Sequence, residues 1–270
     1  MNLVRSELLK IRTTNAWWLL GLGAFLSLAL AFAVNAWLAV SSLSGNPETA
    51  EAGGIPATPA AQAANLYTSG QYLGLMFVML IGILMVTNEF FHQTATTTFL
   101  STPRRTSVIV SKLIAASLLG FGFWLVTTVI DLAAGATVLA LNDHGTQLGE
   151  WEVQRALLLN LLAYAIWTVL GVGIGTLITS QLGAVITASV VYLLGTQVVG
   201  VLFFLLANWL DNMAVMKWQV VWPAAASSIM VSGGESEMLP AWWVGALVLV
   251  GYALASGVAG VLITRRRDIS

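Results

Sequence analysis

Six runs of about twenty apolar residues, separated by short polar segments, set the limits on what this 270-residue chain can fold into. At a helical rise of ~1.5 Å per residue, such a run crosses a hydrocarbon layer ~30 Å thick. Within lipid it must be helical, because every backbone N–H and C=O needs an internal partner. The runs lie at 17–40, 72–88, 108–141, 157–179, 184–207 and 242–264. The second is short for a crossing. The third is too long for a perpendicular one, so it is expected to begin outside the hydrocarbon and to tilt. Residues are 58% hydrophobic and 9% charged, against about a quarter charged in soluble domains. The expected fold is an all-α polytopic membrane protein: a single domain of six transmembrane helices preceded by an interfacial elbow helix over 1–15.

Orientation follows from the cations, which are retained on the cytoplasmic side of span ends. With the N-terminus inside, the inner segments hold nine: Arg5, Lys10, Arg12, Arg104, Arg105, Lys112, Arg265, Arg266 and Arg267; only Arg155 and Lys217 fall outside. Three acids lie inside and eight outside, so a net charge of −1 hides a strongly positive inner face. Both termini are expected to be cytoplasmic, and the first run is too long for the core of a cleavable signal peptide.

Several chemistries are disfavoured. Cysteine is absent, and the two histidines, His92 and His144, fall on opposite sides, so neither a thiolate nor a histidine metal site is expected. No G-x-x-x-x-G-K-[ST] phosphate cradle occurs. No catalytic residue, metal or bound cofactor is expected on this chain, and nothing points to nucleic acid. The eleven tryptophans gather near run ends, where an amphipathic ring is stable at headgroup level in a lipid bilayer.

In the first fifteen residues Val4, Leu8 and Ile11 share one helical face, while Arg5, Lys10 and Arg12 lie off it. Such a helix is expected at the inner interface. The segment 89–107 carries the densest polar pattern. Phe90, Phe91, Phe99 and Leu100 give it an apolar component suited to a short amphipathic helix, and Ser101-Thr102-Pro103 reads as a helix start. Arg104, Arg105 and Lys112 follow, opposing the helix dipole. The positive-inside rule, lipid phosphates or acids on a docked partner would each favour them.

A glutamate ending a span, a threonine-rich segment, then Phe99-Leu-Ser-Thr-Pro-Arg-Arg105 and Lys112 resembles the cytoplasmic loop of type 2 ATP-binding-cassette (ABC) exporter permeases. The order of parts agrees across nearly the whole chain. The resemblance implies a coupling helix from about Glu89 to Thr102 that touches a separate nucleotide-binding ATPase subunit, with Glu89, His92, Thr97, Pro103, Arg104 and Arg105 as the coupling positions. It also implies ATP and magnesium on that partner, a second permease copy or a relative enclosing the path, and a bacterial inner membrane. Members often carry a basic or glycine residue where Phe91 or Ala95 stands, so no single contact is transferred.

Asp131 is the carboxylate inside a run. It is costly in lipid and must face protein or water. A gate or substrate contact on the translocation path, an interhelical hydrogen bond, or placement near the outer interface each fits. Gly171-Val-Gly-Ile-Gly175 supplies a small face for close helix approach. Segment 208–240 is expected to be re-entrant at the outer end or to lie on the outer leaflet. Segment 41–72 reads as a mobile outer loop. The expected function is the permease subunit of an ABC exporter with an unassigned, amphipathic substrate; a non-transporting membrane scaffold or accessory subunit is the alternative.

Overall fold

None of the six prolines falls inside a long apolar run, so nothing removes a donor from those helical ladders. The computed structural model of the protein describes residues 2–14, 16–45, 55–94, 98, 100, 105–233 and 238–266. In chain order it consists of α1 (Asn2–Arg12), α2 (Ala16–Leu43), α3 (Pro59–Tyr67), α4 (Gln71–Phe91), α5 (Arg105–Leu141), α6 (Trp151–Leu177), α7 (Gln181–Trp209), a 3-10 helix (Met213–Val221), α8 (Pro223–Ser232) and α9 (Trp242–Arg266). The described residues contain no strand. Two of the prolines, Pro59 and Pro223, open α3 and α8, where a missing N–H costs nothing.

Six helical spans are long and apolar enough to cross a membrane: α2, the consecutive α3 and α4, α5, α6, α7 and α9. The protein therefore has a multi-pass helical membrane architecture. α4 and α6 form the buried centre, and α2, α7 and α9 lie around them with apolar residues such as Phe25, Leu194 and Leu254 exposed. A helix that is apolar all round fits a span with protein on one side and lipid on the other.

The central pair approaches closely because both helices carry glycine at the crossing. A Cβ at Gly171 would overlap the Met79 carbonyl, and one at Gly82 would overlap the Thr168 carbonyl. Gly175 meets Ile83 and Val86 on the same face of α6, whereas Gly173 faces Ser256 on α9. The expected small face is thus spent on packing within the chain, on two neighbours at once.

Three expectations about boundaries are revised. Residues 58–67, expected to be part of a mobile loop, contain α3, capped by the Thr58 hydroxyl accepting from Ala61 N–H and buried at Ala63, Leu66 and Tyr67. Alanines favour the helix and let it pack closely, and with α3 in place the short second run gains the length it lacked. Glu89–Phe91 belong to the end of α4 and not to the loop. Helix α6 begins at Trp151 rather than near 157, since Glu152 in its first turn complements the dipole.

At 37 residues, α5 is about 55 Å long, some 25 Å more than the hydrocarbon layer. Its surplus is covered by α1 at one end and by α3 at the other, where Gly135 lies against Tyr67 and the Tyr67 hydroxyl donates to Thr146 O at 2.7 Å.

The segment after α7 turns back into the bundle. The Trp222 indole N–H donates to Thr196 Oγ1 at 3.1 Å, about 20 Å along α7 from its end at Trp209. From there α8 returns, placing Ser227 Oγ 2.6 Å from the Trp167 indole N–H and ending at Gly233 in the left-handed region, beside Arg155. Of the 3-10 helix only Val220 is buried, while Met213, Trp218 and Val221 are exposed, so this segment runs along the outside of the bundle before α8 enters it.

The α4–α6 crossing generates a direct prediction. Gly171→Leu should lower stability by about 3 kcal/mol or more, because backbone rather than a flexible side chain blocks the new atoms. Gly251→Leu, whose Cβ would meet open space, should be neutral. Thermal unfolding in detergent, followed by tryptophan fluorescence, checks both.

Candidate functional site: a charged knot at the root of the polar loop

Helix α1 presents Val4, Leu8 and Ile11 to Met85, Val86, Ala115 and Ala116. Its apolar face is therefore turned onto α4 and α5 and does not lie free on lipid. Glu7 is three residues from Val4 and four from Ile11, so it points into the same contact. Between these surfaces lie two carboxylates and two ammonium groups.

Lys112 is 1% exposed, Glu7 4% and Glu89 5%. Lys112 Nζ donates to Glu7 Oε2 at 2.6 Å and to Met85 O at 3.0 Å, and stands 2.9 Å from Glu89 Oε1. Lys10 Nζ closes the set at 2.7 Å from Glu7 Oε1 and 2.5 Å from Glu89 Oε1. Formal charges cancel. Each ammonium bridges both carboxylates, so α1, the end of α4 and the second turn of α5 are joined in one hydrogen-bonded unit. Burial alone would lower the proton affinity of Lys10, but the hydrogen bonds and charges of Glu7 and Glu89 outweigh it and hold its pKa above the ordinary lysine value of 10.5. Lys10 therefore stays charged throughout neutral pH.

The knot accounts for one of the three cations that oppose the α5 dipole. Lys112 is paired with acids of its own chain and is turned away from lipid phosphate and from any docked partner. Glu89 is likewise buried, so it has no surface for direct contact; it positions the root of the loop. His92 is exposed at the C-cap of α4, its ring edge-on to Phe91 at 5.0 Å, and Gln93 turns the chain with φ 56°. Thr97, Pro103 and Arg104 lie outside the described residues, as does the side chain of Arg105. Sequence reasoning overlooked Glu7. The available signal was its position on the apolar face of α1, where a lone carboxylate demands a partner.

Asp131 is 2% exposed and lies far from the knot. The nineteen-residue interval from Lys112 amounts to ~28 Å of helix, about the thickness of the hydrocarbon layer. Its carboxylate lies near Gly70, the N-cap of α4, where no side chain of α4 itself caps the helix, and its Oδ1 is buried without a hydrogen-bond partner among the described residues. An anion there complements the positive end of the dipole. Tyr164 of α6 is close by, as α5 packs along α6. This places Asp131 beside the break between α3 and α4. It lines neither of two apolar clefts, one between α2 and α5 and one between α6, α7 and α9.

The second of these clefts, of about 320 Å³, lies between α6, α7 and α9 and is walled by Trp167, Tyr192, Trp222 and Tyr252. Trp167 and Tyr192 stack edge to face at 4.9 Å, and the Tyr192 hydroxyl donates to Tyr72 O at 2.6 Å. The aromatic polar atoms are thus satisfied by protein, and the cleft offers apolar surface. No protein-family model matches the sequence, and no curated protein does either.

The knot predicts an asymmetry between removing one partner and removing all. Lys112→Met, leaving two buried carboxylates with only Lys10, should destabilise the protein by about 3–5 kcal/mol. The combined variant E7L/K10M/E89L/K112M should recover most of that loss, since an apolar set of similar volume has no charge to desolvate. Thermal unfolding of the purified variants reads the difference.

Proposed function

We propose that the chain is the membrane-spanning permease subunit of an ABC exporter. In this reading ATP and magnesium are bound by a separate ATPase chain, and hydrolysis there switches access through the six-helix bundle. The observation that carries it is the position of the charged knot directly at the root of the segment 92–104. Force applied to that segment reaches α1, α4 and α5 together, because one buried ion set binds all three. A loop meant only to connect two spans requires no such foundation. The threonine-rich segment ending in Pro103-Arg104-Arg105, with its resemblance to exporter permease loops, supplies the contact surface.

Within this proposal the termini and the loop face the cytoplasm, as the cation bias requires, and a bacterial cell membrane is the setting. His92, Thr97, Pro103, Arg104 and Arg105 are the contact positions, with Glu89 behind them. A second copy or a related permease completes the path. The chain itself carries out no covalent chemistry.

Arginines at 104 and 105 present fixed positive charge to the ATPase, so the double variant R104E/R105E should weaken its association at least tenfold, or leave hydrolysis running without transport. Topology is verified separately by accessibility of an introduced cysteine. Normal association and normal coupled export in the correctly inserted variant would remove the coupling assignment. The Lys112 variants above perturb the foundation without touching this surface.

A further inference from the structure

A further cleft belongs to neither the knot nor the aromatic wall. It occupies about 500 Å³ between α2 and α5, floored by Ile81 of α4 and closed at one end by the elbow residues Leu8, Ile11 and Arg12. It exists because α2 leans on α4 and away from α5. Gly23 takes the Phe77 ring at 2.9 Å from where its Cβ would be, and Leu28 packs onto Gly70, while Gly21 on the α5 side has nothing within 4 Å of that position. Across the gap, Gly122 of α5 also has nothing within 4 Å. Two glycines facing open space on opposite walls keep the groove wide, and its rims, Phe25 at 53% and Val126 at 60% exposure, stand open to the side.

Length and charge identify the occupant. Along α2 the groove runs from Trp17 to Leu28, ~16 Å of helix, and along α5 from Leu118 to Ile130, ~18 Å. Each is about half of the ~30 Å hydrocarbon layer, the depth of one leaflet. The walls are apolar except for Thr127 and, at the elbow end, Arg12. Lys10 and Lys112 are neutralised within the knot, but among the described residues no carboxylate pairs with Arg12. A groove one leaflet deep with an uncompensated cation at its headgroup end has the chemistry of an anionic phospholipid site.

We infer that this groove is a binding site for one anionic phospholipid from the leaflet on the elbow side, with an acyl chain along Gly21 and Gly122 and its phosphate on Arg12. The assignment rests on the multi-pass architecture and is independent of the exporter reading. A lipid seated there contacts α1, α2 and α5 at once and links the elbow to the bundle beside the knot.

Native mass spectrometry of the full chain, titrated with phosphatidylglycerol or phosphatidylcholine of the same acyl composition, tests it. The wild type should retain one phosphatidylglycerol with a preference of about fivefold or more over phosphatidylcholine, the scale of one arginine at a membrane surface. Arg12→Gln should bring the two lipids to near parity. The filled-groove variant G21L/G122L, whose new side chains enter open space, should lose the retained lipid while keeping its thermal midpoint. Equal retention of the two lipids by the wild type would overturn the proposal, as would undiminished retention in G21L/G122L. So would a change in that variant from dimer to monomer with lipid binding intact, which would assign the groove to a second copy of the chain.

Discussion

An ammonium group buried to 1% exposure at a bilayer face is stable only if its lost hydration is replaced, and the arrangement of this protein's first half follows from how Lys112 is satisfied. Glu7 and Glu89 supply opposite charge, the Met85 carbonyl a further acceptor, and Lys10 compensates the second negative charge. These groups come from three separate helices. Of the four charges, the buried Glu7, Glu89 and Lys112 are not stable in that position alone, whereas Lys10 is 43% exposed, so α1 docks, α4 ends and α5 starts in one fixed relation. Val4, Leu8 and Ile11 pack beside the set against Met85, Val86, Ala115 and Ala116.

At the opposite end the same physical demand is met differently. The break between α3 and α4 leaves a helix N-terminus at Gly70, and the buried Asp131 carboxylate on α5 lies near it. A carboxylate opposite a helix N-terminus requires no cation partner. Between the two polar levels the bundle is held by close packing, above all where Gly82 and Gly171 let the α4 and α6 backbones meet. Lipid gives no hydrophobic advantage to helix association, so contact of this kind carries the central pair.

The spans were legible because their signal is local: uninterrupted apolar runs, prolines confined to boundaries, and the Gly171 and Gly175 face each announce themselves within one segment. Helix α3 was hidden by its composition, since alanine, glycine, proline and threonine in sequence resemble a loop until Thr58 is seen to cap and Pro59 to open a helix. The knot was only half legible. Glu89 and Lys112 stood out as charges beside apolar runs, but their pairing depends on α1 folding back over both, a long-range event that no spacing encodes. Glu7 was the missing clue. Asp131 was recognised as costly, whereas its place beside the break required knowing that Gly70 lies near it.

In the proposed role this chain transmits another subunit's ATP hydrolysis through the segment rooted in the knot. Gentle purification of the tagged chain from its native membrane, with identification and stoichiometry of what remains bound, addresses it most directly. A soluble ATPase recovered at about one copy per copy of this chain is the predicted result. Its reproducible absence, with a different membrane complex in its place, would contradict the account and assign the chain to a scaffold role.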